Sequence, residues 1–239
     1  GYSLPFFTLR TMKTERYCVK SVDTDVVRPW LLNRHYLKRM CSTSYRFALI
    51  KDGVVFGVVT YGNALPNSVV ESPFGKSWSY CVQELNRLVL SENAPKHAAS
   101  FLISQSIKQL PKPTIILSYA DAGKGHIGYV YQSTNFIYTG RSHTQKDWKL
   151  KSDPDRHSRT LMDEFAFEEN RIEKLKSKYG EDLIQVERPA KHRYLYIHGS
   201  KSAKKSIMKD ARFKAMPYPK GDSVNLCTES EGSTQMLMF

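Results

Sequence analysis

Apolar and polar positions along the chain follow two periods, and the switches between them mark its elements. Residues 16–22, RYCVKSV, alternate as a half-buried strand does. Residues 25–40, DVVRPWLLNRHYLKRM, carry Trp30, Leu31, Tyr36, Leu37 and Met40 at helical spacing. Asp25 is placed to cap that helix, and Pro29 is tolerated near its start. Two strand runs within 45–62 meet at Lys51-Asp52-Gly53, a hairpin signal. Residues 63–76 read as loop, and 78–90 as a strand lengthened or bulged by Glu84, Asn86 and Arg87. Pro95 opens a helix that Pro111-Lys112-Pro113 stops. TIILSYAD (114–121) is an apolar strand with a polar end, 126–135 a short helix and 136–140 a strand.

After Trp148 the character changes. Residues 152–180 predict a charged helix ended by Gly180, and 182–199 strands about a turn at Pro189. The order β–α–β–β–β–α–β–α–β, antiparallel in its first half, predicts an α/β fold of α+β type with a mixed sheet. The expected divisions are a core over 14–150, a basic helix-plus-strand extension over 151–216 that completes the sheet and contacts DNA, and a flexible polar tail over 217–239. This is not the βαβ alternation of a dinucleotide-binding domain.

That difference decides how SYADAGKGHIGYVYQSTNFIYTG (118–140) is read. Gly123, Gly125 and Gly128 fall at G-x-G-x-x-G spacing. They follow the fifth strand rather than the first, open only a short helix, and no carboxylate ends the next strand, so they serve a tight turn and close backbone packing. Tyr131-Gln132-Ser133-Thr134-Asn135-Phe136 instead resembles the Tyr-x-x-x-Gly-Phe segment of GNAT-type acyltransferases. Asn stands at the usual Gly position, a residue that tolerates the left-handed conformation.

ELNRLVL (84–90), the alanine-containing helix and the 118–140 stretch together resemble the Mom family of bacteriophage DNA-modification proteins, over about His35 to Gly140. The resemblance implies a GNAT-like fold and conversion of adenine in DNA to its N6-carbamoylmethyl form, which shields phage DNA from host restriction. It also implies action in the cytoplasm of an infected bacterium.

Within that frame Asp121 is the candidate to accept or orient the amine proton, or it caps the turn it begins. Tyr131 would protonate a leaving group, or it is a packed helix tyrosine. Tyr119 or Ser118 can line the same pocket. Arg87 interrupts an apolar strand and needs an anion, either a cofactor phosphate, a DNA phosphate or a carboxylate such as Glu84. His35 and Tyr36 match a His-Tyr pair of Mom relatives. His35 can bond the base or, with Asp121, hold a metal such as iron. Ser100 and Lys96 are candidate cofactor contacts. ENAPKHAAS (92–100) lacks the glycines with which GNAT enzymes hold a pyrophosphate, so the standard acyl-CoA pose is not expected, while an acyl-CoA-like donor stays among the candidate cofactors.

The formal charge of +13 adds a partner. Between Arg188 and Lys214 nine Lys and Arg face only Asp210, interleaved with aromatics, a composition suited to phosphates and unpaired bases. The expected contacts with double-stranded or locally opened DNA are Arg34, Lys38, Arg39, Tyr61, Arg193, Tyr194, Lys201, Lys204 and Lys205. The four cysteines form no C-x-x-C pair and the histidines no H-E-x-x-H, so a disulfide framework or zinc cage is not expected. No run of about 18 apolar residues predicts a membrane span, and residues 1–17 show no secretory pattern. Two other readings stand: an acyl-CoA-dependent N-acyltransferase for a protein, tRNA or small-molecule amine, and a non-enzymatic DNA-binding anti-restriction protein.

Overall fold

The computed structural model describes residues 16–63 and 65–221; the tail expected beyond 221 lies outside the described residues. The strands are β1 (Cys18–Ser21), β2 (Tyr45–Lys51), β3 (Val54–Gly62), β4 (Val82–Leu90), β5 (Thr114–Ala120), β6 (Ile137–Arg141), β7 (Gln145–Leu150), β8 (Leu183–Arg188) and β9 (His192–His198). The helices are α1 (Thr24–Pro29), α2 (Asn67–Glu71), α3 (Ala98–Ile107), α4 (Tyr129–Ser133), α5 (Ser158–Asp163), α6 (Arg171–Tyr179) and α7 (Lys201–Lys209).

Seven strands form one sheet in the order β1-β2-β3-β4-β5-β9-β6. The mixed, mainly antiparallel α/β architecture anticipated from the pattern is therefore present. β2 and β3 turn at Asp52 and Gly53, both at positive φ, as the hairpin signal requires. β4 and β5 are parallel and pair only over Val82–Glu84 with Ile115–Leu117. Beyond that point the two strands part. The Ser118 hydroxyl donates to the Leu85 carbonyl at 3.1 Å where the parting begins.

One face of the sheet, carrying Phe47, Leu49, Val59, Tyr61, Leu85 and Ile116, packs on Phe101, Leu102 and Ile103 of α3. The other face is covered by two separate layers. Ala48, Val58 and Val89 lie under Val27, Trp30 and Leu31. Val82, Ile115, Leu117 and Leu195 lie under Val70, Phe74 and Ile207.

Several elements differ from the sequence reading. The helix expected over 25–40 stops at Arg34. After Pro29, which has no N–H to donate, the chain widens into a π-helical turn, Trp30–Arg34, and His35 is extended. Asp23 rather than Asp25 occupies the N-cap position. The strand expected from 78 begins at Val82, after a 3-10 turn over Lys76–Cys81. Residues 67–71, expected as loop, form α2. The charged helix splits into α5 and α6, and α7 was not foreseen.

The chain divides into two compact units. One comprises residues 1–120, 126–140 and 192–239; the other comprises 121–125 and 141–191. Residue 150 falls inside the second unit, and β9, from the extension expected to complete the sheet, lies between β5 and β6 of the large sheet. The second unit has its own core of Leu150, Leu161, Leu175 and Leu183 and a hub at Glu164, which accepts from Arg156, Lys178 and Tyr179. It carries 13 Lys and Arg against 12 Asp and Glu, a net +1, so +12 of the chain's +13 belongs to the sheet unit.

Leu102 is fully buried at the centre of α3's contact with the sheet. Leu102→Ala should lower unfolding stability by about 2–5 kcal/mol, read as a shifted midpoint in urea with an unchanged slope.

Candidate active site

The site starts from one irregularity in β4. Thr60 pairs with Arg87 and Tyr61 with Leu85, so Asn86 is an extra residue, a bulge. Leu85 faces the α3 core, and strict alternation would send Arg87 there too. The bulge turns Arg87 to the opposite face, which it shares with Val89. Side-chain bonds hold the bulge: Thr60 Oγ1 donates to Asn86 Oδ1 at 2.6 Å, and Asn86 Nδ2 donates to the Ser42 carbonyl at 2.9 Å. Gly62 permits that approach, since a Cβ there would lie 2.0 Å from the Ser42 oxygen.

By the same alternation Glu84, Tyr119 and Arg193 lie on Arg87's face, along the margin between its two helical layers. His35, delivered by the π-helical turn, sits beside them. It is buried, and burial followed by the Arg87 charge lowers its pKa to about 3. Its Nδ1 accepts from the Leu37 N–H at 3.1 Å, so the neutral ring carries its proton on Nε2. Tyr36 lies against His35 with ring centroids 4.5 Å apart and is 37% exposed. Arg87 donates from Nη1 to the Asn86 carbonyl at 2.6 Å, while its buried Nε has no hydrogen-bond partner among the described residues. That orphaned donor fits an anionic ligand group.

Tyr131 approaches from the α3 side, where α4 places it against Phe136 and Tyr194. Its phenol bonds Ser118, the residue at the parting of β4 and β5. Ser118 itself donates to the Leu85 carbonyl. Burial pushes the Tyr131 phenol up to about 12, opposed by the Ser118 bond and reinforced by the field of Glu84. Tyr119 is also raised, by burial first, with Arg193 opposing and Glu84 reinforcing. Both phenols hold their protons at neutral pH and are suited to donate rather than accept. Asn135 adopts φ 61°, the left-handed conformation its motif position anticipated, and the Phe136 N–H bonds back to the Tyr131 carbonyl. Gly128 has the packing role read from its spacing, since a Cβ there would meet the Tyr194 ring at 2.5 Å.

Other candidates are placed differently. Asp121 Oδ1 accepts from the Gly123 N–H at 3.0 Å, the capping bond. Tyr61 and Tyr194 are fully buried and are corrected as base-stacking residues. Tyr61 bonds Ser106 at 2.7 Å, burial holds its phenol far above the ordinary range, and Tyr194 donates to the Ile127 carbonyl. Arg34 lies over Trp30, and Arg34 and Lys38 are exposed but not on one helix face; Arg39 is half-buried. Arg193 Nε donates to Thr139, whereas Lys201, Lys204 and Lys205 are exposed on α7. The Ser100 hydroxyl donates to the His97 carbonyl of its own turn, and Ala98 N–H bonds Pro95. Lys96 is exposed just before the start of α3. No group of three or more His, Cys, Asp or Glu among the described residues can hold a metal, so the iron site suggested for His35 and Asp121 lacks a donor set. Sequence reading treated Glu84 only as a partner for Arg87; the signal for more is a carboxylate two residues before the bulge. The tail's first residues are held: Tyr218 donates to the Phe136 carbonyl at 2.7 Å and Met216 N–H to Tyr138 at 2.9 Å.

The Mom protein family model matches residues 16–220. The chain belongs to the Mom family. A Mom relative from Escherichia phage Mu, named a methylcarbamoylase, is 28% identical over 211 residues, covering 84% of this chain and 83% of that protein. Among solved structures, an N-acetyltransferase from Staphylococcus aureus Mu50 aligns at TM-score 0.41 and 13% identity, over 76% of this chain and 98% of that one. The Salmonella typhimurium protein yncA, solved with acetyl-CoA, aligns at 0.42 and 11%, over 77% and 95%. These structural likenesses are loose.

The depressed His35 pKa has a direct consequence. The unfolded chain takes up a proton near pH 6.5 that the folded chain refuses until about pH 3. Stability is therefore full above that upper value and declines as pH falls between the two, by at most about 1.4 kcal/mol per unit. Urea midpoints taken at pH 7 and pH 5 should show this loss, and His35→Gln should reduce the difference.

Proposed function

We propose that this Mom-family chain is a transferase that places a carbamoylmethyl group on N6 of adenine in phage DNA, in the host cytoplasm, and so protects that DNA from restriction. Family membership and the name of the phage Mu relative support the reaction class. The observation that carries the reading is the parting of β4 and β5, with a protonated Tyr131 phenol at its apex and Arg87 and His35 on the face beside it.

The N6 lone pair is delocalised into the purine ring, and the amine lies inside the duplex. Extrusion of the base costs roughly a few kcal/mol. Tyr36, stacked on a neutral His35, offers the extruded purine a ring face, and His35 Nε2–H a donor for a ring nitrogen. Asp121 follows directly on Ala120, the last residue of β5. One carboxylate oxygen caps the turn, and the other takes the amine proton as the N–C bond forms. Tyr131 returns a proton to the departing group. Arg87 Nε–H holds an anionic part of the donor or a DNA phosphate, and exposed Lys201, Lys204 and Lys205 add phosphate contacts.

The donor itself is constrained by chemistry. A coenzyme A thioester would leave N6 bonded to a carbonyl carbon, whereas a carbamoylmethyl group is attached through a methylene. The donor for this product therefore bears its leaving group on that methylene carbon, and that bond breaks as the N–C bond forms.

Expression in bacteria followed by mass spectrometry of plasmid nucleosides should reveal a carbamoylmethyl deoxyadenosine. Tyr131→Phe should lower its yield by about 10²–10⁴-fold while DNA binding persists. Asp121→Asn keeps an acceptor for the Gly123 N–H and removes the proton acceptor. It should lose modification as fully as Asp121→Ala, and full modification by the Asn variant would reduce Asp121 to a cap. Label transfer to a non-DNA amine from acyl-CoA would favour an ordinary N-acyltransferase instead.

A further inference from the structure

The face of the sheet that carries Arg87, Glu84 and Tyr119 bears a second built surface, at the start of β4. The 3-10 turn over Lys76–Cys81 presents Trp78 and Tyr80, whose ring planes lie 25° apart with centroids separated by 6.5 Å. That is wider than the 5.2 Å of the packed Tyr131–Tyr194 pair, and Tyr80 is 72% exposed. Tyr80 therefore offers most of its ring to solvent beside the indole. Its neighbour is fixed: Trp78 Nε1 donates to Asp210 Oδ2 at 2.7 Å, and the indole packs on the Phe74–Ile207 cluster.

The surroundings are cationic and ordered. Arg212 N–H bonds the Pro73 carbonyl at 2.8 Å, and its guanidinium lies so close over Gly75 that a Cβ there would meet it at 2.5 Å. Phe213 closes edge-on against Phe74 at 5.3 Å. Lys76, next to Gly75, and Lys209, next to Asp210, are both exposed. The Asp210 carboxylate keeps its negative charge when the neutral indole N–H bonds it, and the three cations Lys76, Lys209 and Arg212 outnumber it. Tyr80 precedes Glu84 by four residues on a continuous path into β4, a separation on the order of 10 Å.

We propose that Trp78 and Tyr80 form a stacking platform for an unpaired base of the DNA strand, with Lys76 and Arg212 on the adjoining phosphates. The proposal rests on the DNA-modification reading and adds to it a second strand contact. An extruded adenine leaves neighbouring bases without full stacking, and an aromatic surface one short strand segment away, on the same face, replaces part of that loss. Ring faces bind any base, and the flanking cations supply the sequence-independent part of the affinity.

Binding of a fluorescein-labelled single-stranded oligodeoxynucleotide to the full chain, followed by anisotropy at fixed salt, tests this directly. Tyr80→Ala should weaken binding by roughly 5- to 100-fold, Tyr80→Trp should retain it, and the urea midpoint of Tyr80→Ala should match the parent's. Lys76→Gln should lower the slope of log affinity against log salt by about one phosphate's worth. Oligonucleotide should quench tryptophan emission in the parent and less so in Trp78→Phe. Unchanged binding by Tyr80→Ala in a chain that binds DNA overturns the platform alone. A parent chain that binds no DNA overturns both the platform and the reading on which it rests.

Discussion

The separation of β4 from β5 after three paired residues is the constraint on which the site depends. Parallel neighbours normally bond along their whole shared length, because unpaired backbone groups inside a sheet are costly. Here the ladder ends at Glu84 and Leu117, and a side chain, Ser118, takes over by bonding the next carbonyl. The same hydroxyl orders Tyr131. A single serine therefore both closes the end of the ladder and meets the proposed acid where the two strands part.

The bulge at Asn86 solves a related problem. A guanidinium facing the α3 core would be buried among Leu85, Leu102 and Ile116 without an anion, a prohibitive arrangement. One inserted residue sends it to the other face, at the margin between two helical layers. Burial then acts selectively there. It keeps His35 neutral and Tyr131 protonated, so neither the ring nor the phenol changes charge across the neutral range.

Much of this was legible in the sequence, for local reasons. The hairpin at Asp52-Gly53, the bulge signalled by Asn86 and Arg87 in an apolar run, and the left-handed Asn135 each follow from a residue's own conformational limits. What failed needed distant partners. The α1 helix stops early because Pro29 disturbs its bonding just where Trp30 and Leu31 must reach the sheet, which periodicity alone does not register. Tyr61 and Tyr194 looked like surface aromatics in polar or basic stretches, yet their strands run through the middle of the sheet, and their hydroxyls are satisfied internally. Glu84 drew little notice because one acidic residue in a strand says nothing of the phenols it will face across the gap.

The division of charge between the two units bears on how the molecule meets a polyanion. The 51 residues from Arg141 to Lys191, with the short 121–125 segment, are almost electrically silent, whereas the sheet unit holds nearly the whole positive excess. Attraction over one or two Debye lengths therefore acts on the sheet unit and hardly at all on the other. Long-range pull by any polyanion therefore draws on the sheet unit's excess, while the near-neutral unit contributes only at short range.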